Sequence, residues 1–461
     1  MYDLLIRNAR LVTPSGMADS DLAIAGGKIA ALLPRGAGEA KKEIDAKGKL
    51  AFPGAIDTHA HLNEPGYTWR EDYAHGTVAA AVGGFTTVID MPLQNTPSLV
   101  AADLVDQKVA AVSPNACVDF CLWGGLVPGN FDELRAMDEK GCVAFKVFLS
   151  PTSEDYGSMS YGDTYEAMQI VRQFGGRIGF HCEDFSIIDR LEKKMKREQR
   201  LDWRAYLDSR PVAAEVIATE AVIELTRATG CKSYICHVSS PDAAQKIKEA
   251  QQQGLDVVAE TCAHYLTMTE QDVLEKGPIC KCSPPLRTEE ERDRLWNYVI
   301  DGTISAIGSD HSPCTWEEKT VENMGKKIET VFDAWGGMTG IQTVFQTMFS
   351  EGCKKGRLTP VQLAQVMCEK PAKVFGLWGQ KGALAEGFDA DVVLLDPDRA
   401  WEVTADSLYY VNQISSYVGR KGVGMPVMTL LRGEVLAEDG KWTGRRGLGK
   451  MLRKGASACA D

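Results

Sequence analysis

Eight apolar runs rich in β-branched residues recur through the middle of the chain, each followed by a polar or glycine-containing turn and a helix-like stretch. They are Leu50 to Ile56, Phe85 to Asp90, Cys117 to Leu122, Val143 to Phe148, Arg177 to Phe180, Ser233 to Cys236, Asp256 to Glu260 and Ile304 to Gly308. Parallel strands need a crossover between them, and the intervening helix supplies it. Eight such units close a barrel. The sequence therefore predicts an α/β fold built on a (β/α)8 TIM-type barrel.

The flanks follow a different rule. Short alternating segments at Leu4 to Ile6, Asp21 to Ile24 and Lys28 to Leu32 are separated by turn residues such as Gly26-Gly27, and the same pattern resumes at Asp391 to Leu395, Pro426 to Leu431 and Glu434 to Ala437. The expected assembly is a small β-sandwich made of residues 1–50 with 385–446, a barrel over residues 51–384, and a C-terminal tail over residues 447–461. Basic residues among glycines in that tail read as a solvated or subunit-contacting end.

Composition excludes several function classes. A net charge of −12 lacks the basic footprint of a nucleic-acid binder. No apolar run approaches the roughly 18 residues of a membrane helix, and Asp3 and Arg7 interrupt any signal-peptide core, so a cytoplasmic protein is expected. The 13 cysteines include no Cys-x-x-Cys pair and read as buried thiols of a reducing compartment.

Catalytic side chains of a βα barrel sit at the C-terminal ends of its strands. The first run leads into Asp57-Thr58-His59-Ala60-His61, where two histidines at spacing two point the same way on an extended segment. Lys146 lies in Ala144-Phe145-Lys146-Val147-Phe148, a context in which an ammonium must snorkel, find a partner or lose its charge. His181, His237 and Asp310 follow the fifth, sixth and eighth runs, and His264 and His311 lie just past the seventh and eighth. The chain has seven histidines, so this gathering at one barrel mouth is selective. Neutral imidazoles with one carboxylate form an N/O donor set suited to zinc or a neighbouring divalent ion, and four histidines exceed what one open site needs. Two metals are expected.

With these residues in place, the chain resembles the cyclic-amide branch of the amidohydrolase superfamily, and within it the allantoinases. The resemblance spans nearly the whole chain. It rests on Asp57 to Gly66, Gly83-Gly84-Phe85-Thr86-Thr87, Met91-Pro92-Leu93, Phe145-Lys146, His181-Cys182-Glu183, Cys236 to Ser240, Cys262-Ala263-His264-Tyr265, Cys282 to Arg287 and Ser309 to Cys314. It implies that His59, His61 and Asp310 hold one divalent ion, that His181 and His237 hold a second, and that Lys146, carbamylated by carbon dioxide, bridges them. The metal would be zinc, with cobalt or manganese as alternatives. Asp310 would act as general base toward a water held between the ions, opening the hydantoin ring of allantoin to allantoate in purine catabolism. Ser283 would orient the ring through its backbone. A homotetramer is the family habit.

Three positions separate the relatives. Dihydropyrimidinases and hydantoinases usually carry a tyrosine five residues after the bridging lysine, where this chain has Pro151. Dihydroorotases carry an arginine after His-Leu to bind a substrate carboxylate, where this chain has the uncharged Asn63. Allantoinases typically read Met-Pro-Leu-Asn with a serine shortly after the strand-eight aspartate; this chain keeps Ser312 but reads Met91-Pro92-Leu93-Gln94-Asn95. Substrate contacts are thus expected from Ser283, Ser312, Gln94 and Asn63, with Asn95 as the alternative to Gln94. The expected partner is a small cyclic ureide. The other readings are a hydantoinase or dihydropyrimidinase acting on a different cyclic imide and, more remotely, a non-catalytic barrel kept for assembly. A stretch from Pro151 to Tyr165, rich in Ser, Gly, Asp and Tyr, suggests a lid.

Overall fold

A computed structural model describes residues 1–150, 152 and 156–455. Its centre is an eight-stranded parallel sheet of Ala55–Ala60 (β1), Phe85–Asp90 (β2), Asp119–Gly125 (β3), Cys142–Phe148 (β4), Arg177–His181 (β5), Lys232–Ile235 (β6), Val257–Cys262 (β7) and Ile304–Gly308 (β8), paired in sequence order. The ring closes between β8 and β1, where the His61 N–H donates to the His311 carbonyl at 2.8 Å. Ile56, Ile89, Cys121, Trp123, Ala144, Tyr234 and Cys236 belong to one buried apolar cluster. Phe375 packs edge-on against Trp123 in the same cluster. The helices between strands cover the outside with faces such as Ala218, Val222 and Ile223 or Ala243, Ala244 and Ile247.

The first apolar run is two strands where one was expected. Leu50–Pro53 pairs antiparallel with Val392–Glu402 and parallel with Arg10–Thr13, whereas β1 starts only at Ala55. Gly54 separates them because a Cβ there would lie 2.1 Å from Thr86 Oγ1; the chain runs directly against β2 and only glycine fits. Burial on both faces hides such a break from hydrophobic pattern alone.

Both ends of the chain build a two-sheet β domain. Four strands, in the order Lys28–Leu33, Asp21–Ala25, Tyr2–Arg7 and Ala40–Asp45, form one sheet. The other contains Glu434–Glu438, Lys421–Leu431, Val392–Glu402, Leu50–Pro53 and Arg10–Thr13 as consecutive neighbours. Leu4, Ile6, Leu22 and Ile24 from the first sheet share one buried cluster with Leu11, Val392, Leu394 and Leu430 from the second.

The tail does not run free into solvent through its described part. Phe120 N–H donates to the Lys450 carbonyl at 2.9 Å, Leu452 N–H returns a bond to the Phe120 carbonyl at 2.8 Å, and the Lys450 N–H donates to Asp119 Oδ1 at 2.8 Å. Basic composition suggested solvation, but the start of β3 offers backbone partners and Asp119 offers charge. Among the described residues no helix is long and apolar enough to cross a membrane.

Candidate active site

The C-terminal ends of the strands surround a cavity of about 300 Å³, and His59, His61, Lys146, His181, His237 and Asp310 all line it. His59 Nε2 and His61 Nε2 lie 3.3 and 3.4 Å from the same oxygen, Asp310 Oδ1. His181 Nδ1 and His237 Nε2 face each other at 3.1 Å. The rings of His59 and His237 are 5.3 Å apart, joining the two groups. Lys146 is fully buried on β4, its Nζ has no hydrogen-bond partner, and it lies 4.9 Å from the Phe148 ring centre.

The backbone is held in a costly conformation at several of these positions. His237 has φ 38° and Asp310 has φ 44°, and the neighbouring Asn63 and Gln94 have φ 57° and 60°. Non-glycine residues rarely adopt this left-handed region, and surrounding structure must impose it.

Carboxylates behind the imidazoles set their orientation. Glu260 of β7 lies 2.8 Å from His59 Nδ1 and accepts from the Tyr234 hydroxyl at 2.8 Å and the His237 N–H at 3.2 Å. Gly308 makes room for it, since a Cβ there would lie 2.9 Å from Glu260 Oε2. Glu183 Oε2 lies 2.8 Å from His181 Nε2 and accepts from Arg210 Nη1 at 2.5 Å. Each carboxylate holds a proton on the far ring nitrogen and presents the opposite lone pair to the cavity.

Electrostatics agree with that assignment. Burial holds the His59 and His237 imidazoles well below 6.5 and lowers His181 as well. Burial pushes the Asp310 carboxyl up, but the imidazoles of His59, His61 and His264 around it bring it down to about 2. Burial likewise opposes Glu183 ionisation, and Arg210 with His181 brings that group to about 2. Neutral imidazole beside ionised carboxylate is the state that binds a divalent cation.

The donor set fits a divalent ion. His59, His61 and Asp310 place one ligand atom each within 4.8 Å of one another. Beside these ligands Lys146 Nζ is a buried polar atom without a hydrogen-bond partner, an arrangement that costs free energy unless something binds there.

The remaining sequence expectations fall in distinct places. Ser283, Ser312 and Gln94 line the cavity. Asn63 stands behind Gln94, donating from Nδ2 to Gln94 Oε1 at 3.1 Å. Asn95 turns away, with Nδ2 on the Met91 and Leu93 carbonyls and Oδ1 accepting from Lys108. His264 is buried near Asp310 with neither ring nitrogen bonded. His311 lies 3.3 Å from Glu71 with its ring tilted by 46° against Tyr410, and it does not line the cavity. Pro151 lies outside the described residues, as does part of the suggested lid; Tyr156 is buried with its hydroxyl on the Lys146 carbonyl at 2.7 Å.

Sequence reasoning passed over Glu260, although a carboxylate in a buried strand carried the same signal as Lys146. It also passed over Arg210 and the wall beyond β8. There Arg70 stacks 4.1 Å over the Trp335 ring while its Nε donates to Glu318 at 2.8 Å, and no spacing rule joins residues 70, 318 and 335.

Known proteins bear on this site. Residues 50–436 match the model of the amidohydrolase family. An allantoinase of Rubrobacter xylanophilus is 39% identical over 441 residues, covering 95% of each chain. An allantoinase of Bacillus licheniformis is 36% identical over 460 residues, covering 98% of this chain and 99% of the other. Among solved structures, an L-hydantoinase (dihydropyrimidinase) from Arthrobacter aurescens superposes with a TM-score of 0.95 at 36% identity, covering 98% of this chain and all of that one. A dihydropyrimidinase from Brevibacillus agri gives 0.90 at 28% identity, with 98% of both chains covered.

Proposed function

The chain belongs to the amidohydrolase family and is a hydrolase of cyclic amides, and from that premise we propose that it opens the hydantoin ring of allantoin to allantoate. The observation that carries the chemistry is the convergence of His59, His61, Lys146, His181, His237 and Asp310 on one cavity. Similarity to allantoinases over nearly the full chain supports the substrate.

In this reading His59, His61 and Asp310 would hold one divalent ion, His181 and His237 would hold the other, and Lys146, once carbamylated, would contribute to holding them. When bound, such a pair acts as a Lewis acid on a carbonyl and lowers the pKa of water toward neutrality. Zinc suits the donors; cobalt or manganese would serve. Asp310 accepts the proton of the attacking water and returns it to the departing ring nitrogen, a transfer contributing about 10²- to 10⁴-fold. Glu260 and Glu183 keep the imidazoles aimed. Ser283 and Ser312 border the ring, and Gln94, its Oε1 held by Asn63, offers Nε2–H as a donor. The barrel, which starts with β1 at Ala55, carries this chemistry, and the β domain built from both ends of the chain supports it.

The same reading makes the protein a cytoplasmic enzyme of purine breakdown and a homotetramer. All twelve cysteines among the described residues are free, as suits a reducing compartment. A second reading, hydantoinase or dihydropyrimidinase action on another cyclic imide, is favoured by the Arthrobacter aurescens enzyme, which matches this chain at the same 36% identity as the second allantoinase.

The test is a panel of protein loaded with zinc, cobalt or manganese, challenged with allantoin, hydantoin, dihydrouracil and dihydroorotate, with bound metal measured on the same samples. Allantoin should give a kcat/KM at least about tenfold above the others, a preference of about 1.4 kcal/mol. Comparable turnover of dihydrouracil overturns the substrate and leaves the ring-opening chemistry standing.

A further inference from the structure

Beyond β8 the chain makes a small hairpin, Glu322–Asn323 against Lys326–Lys327, turning through Met324 at φ 51° and Gly325 at φ 77°. Asn323 and Met324 line the same cavity as the metal-ligand set. The Asn323 amide has a fixed orientation. Its Nδ2 donates to the Asp333 carbonyl at 2.9 Å, and a backbone carbonyl can only accept. Oδ1 is therefore the free end, and it is buried with no hydrogen-bond partner.

The anchor under that amide is rigid. Lys281 Nζ donates to the carbonyls of Val331, Phe332 and Ala334 at 2.8, 2.8 and 2.6 Å. Lys319 Nζ donates to those of Trp335 and Gly337 at 3.0 and 2.7 Å. Two buried lysine amino groups thus hold the backbone on either side of Asp333, so the Asn323 acceptor cannot turn away cheaply. Gln94, on the loop after β2, lines the same cavity, and with its Oε1 taken by Asn63 it has Nε2–H left as a donor.

We propose that Asn323 is a specificity-determining residue whose Oδ1 accepts a hydrogen bond from an N–H of a ureido substituent carried on the ring. The proposal rests on the reading of the protein as an allantoin-opening enzyme and names the contact that recognises the exocyclic arm. A ureido group brings N–H donors for Oδ1 and a carbonyl for Gln94 Nε2. Unsubstituted or alkyl hydantoins bring neither and leave the buried acceptor unpaired, which is how a site built for a polar substituent rejects its absence.

The experiment measures kcat/KM for allantoin and for hydantoin with metal-loaded wild type, Asn323→Leu and Asn323→Ala, each checked for wild-type metal content and melting temperature. Leucine keeps the volume and removes the acceptor; alanine guards against a misfit. The allantoin-to-hydantoin ratio should fall about tenfold in both variants, mainly through KM. A ratio that stays at the wild-type value, with both substrates slowed alike, shows that the hairpin only encloses the cavity and overturns the proposal. The wild type alone judges the function: hydantoin opened without allantoin removes that reading and this inference with it, whereas allantoin preferred by an unchanged Asn323 ratio removes only the inference.

Discussion

Glu260 shows how much a single buried carboxylate decides. It does not line the cavity itself, yet it bonds the His59 ring, the His237 backbone and the Tyr234 hydroxyl together. Partners of this kind typically govern metal affinity or activity by about 10- to 100-fold. Glu260→Gln should therefore fold and melt nearly as wild type while losing metal on gel filtration and activity by about that factor; full metal retention at normal turnover would remove the orienting role. At this scale the sequence exposed the ligand atoms but not their supports. His59, His61, His181 and His237 stand out because histidine is scarce here and clusters at strand ends. Arg210 and Asn323 look like ordinary surface residues until the fold brings them to the cavity wall, since loop conformation has no periodicity to read.

Among the elements, strand Asp21–Ala25 depends on an acid group at its start. Asp21 is buried, accepts from the N–H groups of Asn8 and Gly36 at 3.0 and 2.8 Å, and meets Arg7 at 3.1 Å. Burial pushes its carboxyl up, but those donors prevail and leave it below 3.8. A folded value below the unfolded one means that the group's stabilisation is present above about pH 4 and is lost as pH falls through the folded value. Asp21→Asn should cost about 1–3 kcal/mol at pH 7, and that deficit should shrink as pH falls below about 4, as measured by urea melts across pH; an equal deficit throughout would refute the linkage. Most elements were readable from pattern, including all eight barrel runs. The division at Gly54 was not, because strands buried on both faces show continuous apolarity whichever sheet they join.

For the molecule as a whole, Lys381 is the join between its parts. Its Nζ lies 2.6 Å from Asp119 at the start of β3 and 2.9 and 2.7 Å from Asp389 and Asp391 of the β domain. Arg432 pairs with the same Asp119 and also donates to the Leu448 carbonyl at 2.6 Å, bringing in the tail. Removing the central cation leaves Asp391 without an ion-pair partner, while Asp119 keeps Arg432 and Asp389 keeps Lys28, so Lys381→Met should cost about 3–5 kcal/mol and lower the melting temperature or separate the transition into two. A single transition at the wild-type temperature would show that the domains do not need this join. The sequence foretold a split β domain, but not this contact, whose members lie more than 260 positions apart.

The interleaved sheet imposes an order on biosynthesis. Strand Leu50–Pro53 lies between Arg10–Thr13, made moments before it, and Val392–Glu402, made some 340 residues later. While the ribosome completes the barrel, that edge stays open, with its apolar residues exposed and its backbone available to other nascent chains. Newly made protein is therefore most prone to aggregate before its last strands emerge, and slowing translation late in the message would lengthen that interval.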